Sequence, residues 1–346
     1  MTSVKAGFNG KAPRVDSHLH VNYRNYTAKD LVAYMDREGI DQCWLLTWEE
    51  TKPSHPWYLP LSIDDVHDAY ERYPDRFVPF YSPDPGRPDA LNSLAEWHKK
   101  GVRGCGELKV SITWDSPGLD PILAYLDQHR MPLVFHMEKA ACIYWAESDS
   151  PYDCLMARLL NTPRFSGIPR KTLEAMEILF RPLARRRERM KRFFPGYMMD
   201  FVSLEARLRQ YPNIKFIGHG PLFWKGISAL MDNSNVLPSG PVIGEGIVWR
   251  LLSEYDNLYA DLSAYSGYNA LARDPKFAKK FLCSFSGKLL YATDNFFLGL
   301  RGLLESLKLP ADAYRRIYGE NAHALIEGCG KMESSSQNVG RERRAV

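Results

Sequence analysis

Two histidines one residue apart, His18 and His20, lie in the apolar-alternating run of residues 14–21. On a β-strand the side chains at i and i+2 point to the same side. The two imidazoles therefore face one way and can share a metal ion. Asp16 has the same parity and is placed to steady one of them from behind. An H-x-H pair is not specific by itself, because short strands carry such pairs by accident. Glu107, Lys109, His136, His219 and Asp294 add to it, each at the end of an apolar run. Imidazole nitrogens with a carboxylate suit Zn²⁺, with Mn²⁺, Fe²⁺ or Co²⁺ as alternatives.

Each residue alone also has a plainer reading. His136 would serve as a hydrogen-bonded core histidine and Asp294 as a helix N-cap. The glycines around His219 would serve a tight turn, and Glu107 would pair with Lys109, its neighbour on the same face. What favours chemistry is the placement of the set on the elements that carry it. Apolar runs predict strands near residues 14–21, 40–48, 76–81, 102–110, 132–137, 213–220, 257–263 and 288–295. Helical spacing separates them. Thr27 and Asp30 make a capping box before Leu31, Tyr34 and Met35, with Gly39 as the stop. Ser62 and Asp65 open a second helix, further helices run through Leu91, Leu94 and Trp97 and over 120–129, and one over 311–326 closes the fold.

Short apolar strands alternating with helices imply a parallel sheet buried on both faces. Eight such units imply an α/β protein of the (β/α)8 TIM-barrel class. An open doubly wound sheet is the alternative, and the chain has no G-x-G-x-x-G turn to favour it. The barrel spans 12–328, with an extended helical insertion between strands 5 and 6, and 329–346 is a disordered tail. Within the insertion, helical spacing runs from Thr172 to Phe194. Its Arg181, Arg185, Arg186, Arg187, Arg189, Lys191 and Arg192 form a solvated basic face or a lid that steers anions. In such barrels the site lies at the C-terminal ends of the strands. His18, His20, His136 and His219 all fall there, four of the nine histidines, while the other five fall on loops and helices.

Composition narrows the function further. The 346 residues are 45% hydrophobic, ample for one large core, and 45 basic residues against 41 acidic ones leave a net charge of only +4. Nucleic acid is excluded as a partner by that balance. No run of 18 apolar residues would span a membrane, and the N-terminus lacks an apolar signal segment. The six scattered cysteines form no C-x-x-C and read as reduced thiols of a cytoplasmic protein.

The strand-one D-x-H-x-H, His136, His219 within Ile217-Gly-His-Gly220 and Asp294 within Tyr291-Ala-Thr-Asp294 together resemble the amidohydrolase superfamily. More narrowly they resemble its amidohydrolase-related branch, which includes aminocarboxymuconate-semialdehyde decarboxylase. The resemblance implies a metal held by His18, His20, His136 and Asp294, with His219 as acid/base or further ligand and Asp294 taking the proton of a metal-activated water. In binuclear members a strand-four Glu or carboxylated Lys bridges two metals, so Glu107 and Lys109 are both candidates. One ion is expected here rather than two. The expected activity is hydrolysis of a small, ring-bearing, anionic molecule; the alternative is non-oxidative decarboxylation at the same site. A non-enzymatic scaffold would tolerate loss of ligands, and none is missing. Loop rings including Tyr23, Trp48, Trp114, Trp145, Phe223 and Trp224 suggest an aromatic-lined mouth, and Arg24 or Lys109 would hold a substrate carboxylate. A small-molecule substrate is the expected partner, and a homodimer is an assembly the chain allows.

Overall fold

The computed structural model describes residues 13–54, 59–145, 190–231, 236–295 and 299–329, without the side chains of Arg24, 142–145 and 190–192. Among the described residues ten strands run in chain order: β1 Val15–Leu19, β2 Gln42–Leu45, β3 Phe77–Pro79, β4 Cys105–Leu108, β5 Pro132–His136, β6 Ala141–Trp145, β7 Met190–Phe194, β8 Lys215–His219, β9 Leu258–Asp261 and β10 Leu289–Leu290. Eight are parallel, in the orders β1-β2-β3 and β10-β9-β8-β5-β4. A parallel bridge between Phe80 and Gly104 joins the two sheets at one side. At the other, Ser17 N donates to Tyr291 O (3.0 Å) and Asp294 N to His18 O (2.8 Å). The result is a closed (β/α)8 barrel, as the strand count predicts.

Alternation along the strands divides the core. Val15, Trp44, Leu46, Val78, Phe80, Val134, Ile217 and Leu290 fill the barrel interior. Leu19, Leu45, Leu133, Phe135 and Phe216 point outward into the layer shared with the helices. The helices start where the sequence directs. Thr27 and Asp30 form the expected reciprocal cap on Ala28–Glu38, and Gly39 ends it in a left-handed conformation. Ser62 caps Ile63–Arg72, and Asp120–His129 has the expected bounds.

Two expectations need correction. The helical spacing from Thr172 to Phe194 does not hold at its end. Met190–Phe194 is a strand, paired antiparallel with Ala141–Trp145. Pairing between two segments rich in aromatic and other apolar side chains prevails over local helical spacing. The remainder of the insertion, with Arg181 to Arg189, lies outside the described residues, as does the tail from residue 330. The closing helix is also broken, running as Ala311–Arg315, a π-turn over Arg316–Glu320 and Asn321–Glu327.

The glycines beside His219 have packing reasons. A Cβ on Gly218 would lie 2.1 Å from the Phe223 ring. Gly220 has φ +96°, and a Cβ there would come within 2.6 Å of the Met137 carbonyl oxygen. Gly220→Ala should therefore cost about 1–3 kcal/mol through strain and overpacking. Chemical denaturation would measure this, and an unchanged midpoint would refute it.

Candidate metal centre

A β-bulge in β1 sets the direction of the strand-one histidines. The register slips between Asp16 and Leu19, so the extra residue reverses the facing of everything after it. Val15 faces the interior while Leu19, of equal parity, faces the helices. His18 and His20 consequently turn inward together, and Asp16 does not accompany them. Asp16 instead accepts hydrogen bonds from Tyr34 Oη (2.9 Å), Thr293 Oγ1 (2.6 Å) and Thr293 N (3.1 Å). Burial pushes its carboxyl up to about 6, against the lowering effect of those donors. It anchors β1 to the segment after β10 and orients neither imidazole.

The residue that orients them is Asp261, at the end of β9, which reading the sequence did not single out. Its Oδ2 accepts from His18 Nδ1 (2.7 Å) and its Oδ1 from His219 Nδ1 (2.9 Å). Ser263 N (3.1 Å) and Oγ (2.6 Å) complete its shell. Burial alone would raise its carboxyl, but the His219 and His18 rings it touches hold it far below the carboxylate range. The one signal in the sequence is an acid closing an apolar strand, in Ala260-Asp261-Leu262.

These contacts fix the tautomers. His18 and His219 donate from Nδ1 to Asp261, and His20 donates from Nδ1 to the Leu46 carbonyl (2.8 Å). All three leave Nε2 bare. His18 Nε2 and His20 Nε2 stand 3.2 Å apart. Asp294 Oδ1 is 3.2 Å from His20 Nε2 and 3.7 Å from His18 Nε2, and Glu107 Oε2 is 3.6 and 3.8 Å from the same two atoms. The other oxygen of each acid faces elsewhere. Glu107 Oε1 is 2.6 Å from His136 Nδ1 and 3.6 Å from His219 Nε2, and Asp294 Oδ2 is 3.9 Å from His219 Nε2. Glu107 thus stands between two histidine pairs.

Two imidazole nitrogens and two carboxylate oxygens crowd together here and need a positive charge, a proton or a metal ion, between them. Glu107 Oε2 is buried and has no hydrogen-bond partner, a costly state for a carboxylate oxygen. A cation resolves both problems. Zn–N bonds of about 2.0–2.1 Å in tetrahedral geometry separate two nitrogens by about 3.3 Å, close to the spacing found here. His18, His20 and Glu107 form one candidate ligand group, His18, His219 and Asp294 a second, and Glu107, His136 and His219 a third. The residues present fit a divalent metal.

Electrostatics agree. Burial works against a charged His18, yet Asp261, Glu107 and Asp294 hold its affinity for a proton well above the ordinary histidine range. Burial would likewise raise Glu107, but Lys109 and His136 hold it well below. His136, despite burial and Lys109, is raised by Glu107 and Glu138, its partner at Nε2 (3.2 Å). The site is built to attract positive charge. Its backbone is held by Asn295, which accepts from His20 N (2.7 Å) and donates to His20 O (2.8 Å). That pair of bonds fixes Asp294 and Asn295 in left-handed conformations, φ +54° and +55°.

The remaining predicted residues divide. Lys109 Nζ lies over the Trp48 ring (3.9 Å), and among the described residues it makes no ion pair with Glu107. Trp48 packs edge-on against His20 and Tyr23. Trp114 is a correction: it is fully buried between Phe135 and Phe216 in the helix layer, as are Phe223 and Trp224 nearby, so it lines no mouth. These rings follow strands closely in sequence but turn away from the barrel axis. The side chains of Arg24 and Trp145 lie outside the described residues.

The family profile described as amidohydrolase matches residues 15–327. No curated protein matches the chain. Among solved structures, an amidohydrolase from Burkholderia multivorans with bound zinc is 11% identical, with a TM-score of 0.53, covering 91% of this chain and 99% of its own. A probable 2-pyrone-4,6-dicarboxylic acid hydrolase from Acinetobacter baumannii is 12% identical over 91% and 99%, with a TM-score of 0.50. A 2,6-dihydroxybenzoate decarboxylase from Rhizobium is 14% identical over the same shares, also at 0.50. At these identities the likeness is one of fold, the TIM barrel.

Proposed function

Because the chain belongs to the amidohydrolase family, we propose that its rim site is a two-cation centre that hydrolyses a small, ring-bearing, anionic substrate. The observation that carries this is the division of Glu107, one oxygen toward His18 and His20, the other toward His136 and His219. The sequence favours one ion; the bridging position of Glu107 favours two. His18, His20, Glu107 and Asp294 would hold the first, and Glu107, His136 and His219 the second. Zinc is the first choice for this mixed donor set.

When bound, the metal supplies an acidified water and polarises the substrate carbonyl. The protein's own groups do the rest. Asp294 faces His18 and His20 with one oxygen and His219 with the other, and accepts the proton released by the attacking water. Asp261 keeps His18 and His219 in the tautomers that leave Nε2 free. Trp48 and Tyr23 pack edge-on beside His20, and Lys109, held over the Trp48 ring, offers the charge that recognises a carboxylate. Burial would lower the Lys109 ammonium pKa, but Glu107 and Asp294 raise it, so it stays charged. Lys109→Met should raise KM about 10- to 100-fold for anionic substrates and leave neutral analogues unaffected. Equal loss for both would remove the assignment.

One observation favours the second reading, decarboxylation. His219 Nδ1 is backed by both Asp261 and Ser263 Oγ (2.9 Å), a setting that suits a proton donor to the carbon losing CO₂. That role requires His219 to be free of metal, hence one ion. Metal analysis of the purified protein and assay of CO₂ release across phenolic acids, lactones and amides separates the two. His219→Asn gives a further check. In the hydrolase reading it removes one metal equivalent. In the decarboxylase reading it keeps the metal and slows turnover about 10²- to 10⁴-fold. Lost stability with normal turnover would deny His219 either role.

A further inference from the structure

On the opposite face of the barrel, a cavity of about 330 Å³ opens between the N-terminal ends of the strands and the last helix. Arg130, Asn213, Lys215, Tyr259, Asn321 and Leu325 are among the residues that line it, and none of the lining residues is acidic. Lys215 begins the strand that His219 ends, four steps of about 3.3 Å away, or about 13 Å. The cavity is therefore separate from the metal centre.

Its charges are unbalanced. Among the described residues neither Arg130 nor Lys215 has an ion-pair or hydrogen-bond partner for its side chain. Asp256, the one acid acting on Lys215, is ion-paired with Lys288 (3.5 Å). Lys288 also donates to the carbonyls of Leu252 (2.7 Å) and Tyr255 (2.9 Å). Burial and the like charges of Lys288 and Arg130 hold the Lys215 ammonium below its ordinary range in spite of Asp256. Asn213 and Asn321 carry no charge to offset them, and their amide nitrogens already donate to Asp127 and to the carbonyls of Ser286 and Leu289. A half-buried lysine and an exposed arginine that share a cavity with no acidic lining are stabilised when an anion joins them.

We propose that this basal cavity binds a small phosphate-bearing molecule, with Arg130 and Lys215 on the phosphate and the Tyr259 ring along the remainder. Arg offers a planar fork and Lys a point charge, the pair that phosphate recognition uses. The volume admits a monoester as well as free phosphate.

The test uses the full-length, metal-loaded protein and measures melting temperature and calorimetric binding with inorganic phosphate, phenyl phosphate and phenol. Both phosphates should stabilise the wild type saturably and phenol should not. Tighter binding of phenyl phosphate identifies an organic monoester as the source, and equal binding identifies free phosphate; either supports the site. The double variant Arg130→Gln, Lys215→Gln should lose at least about tenfold in affinity, while Lys215→Arg keeps it. In phosphate-free buffer Lys215→Gln should melt no lower than the wild type, since it removes a repelled charge. Three outcomes overturn the proposal. They are no stabilisation of the wild type, stabilisation that survives in the double variant because phosphate sits on the metal centre, or a Lys215→Gln protein destabilised without phosphate.

Discussion

Glu107→Gln should leave the protein with one metal equivalent in place of two, and should abolish most turnover. The amide keeps the size of the side chain but offers one oxygen where two are needed. It cannot serve both the His18–His20 side and the His136–His219 side. The loss in metal affinity should exceed the roughly 10- to 100-fold that removing a supporting group costs. A second readout is thermal. Metal that binds only the folded protein stabilises it by mass action, so the rise in melting temperature on metal addition should shrink in the variant. If elemental analysis finds the same metal content in Glu107→Gln and wild type, Glu107 bridges nothing, and its orphaned oxygen needs another explanation.

Asp261→Asn is expected to have the next largest effect, although Asp261 touches no metal. A carboxylate can accept from two imidazoles at once; an amide presents one acceptor and one donor. One of His18 and His219 must then reverse its tautomer and carry its proton on Nε2, where a lone pair is required. A histidine fixed in the wrong tautomer can lose about 10⁴ in rate. We expect metal affinity to fall about 10- to 100-fold. Turnover should fall further than metal loss alone explains, measured at saturating metal. The fold should survive, because the Ser263 contacts can adapt. Unchanged affinity and unchanged turnover together would reduce Asp261 to a packing residue.

Much of this was legible in the sequence because it follows from periodicity. The eight barrel strands, the capping box at Thr27 and the polar strand ends at His136, His219 and Asp294 need only local rules and the placement of barrel sites. What was not legible depended on non-local geometry. Asp16 was misassigned because a bulge, invisible in alternation, reverses the facing of β1 before His18. Asp261 was missed because its importance comes from contacts with residues 243 and 42 positions away. Trp114 seemed a mouth residue because ring type was legible and direction was not. The antiparallel pairing of β6 with β7 was hidden because neither strand has a reason to form without the other.

The clamp of Asn295 on the His20 backbone joins residues 275 positions apart. The His18–His20 pair and Asp294 belong to opposite ends of the barrel sequence, and they meet only at the seam where it shuts. During synthesis the His18–His20 pair emerges early and must wait for nearly the whole domain before Asp294 arrives. A chain cut short of β10 keeps His18 and His20 but lacks the Asp294 oxygens that stand beside them in the closed barrel.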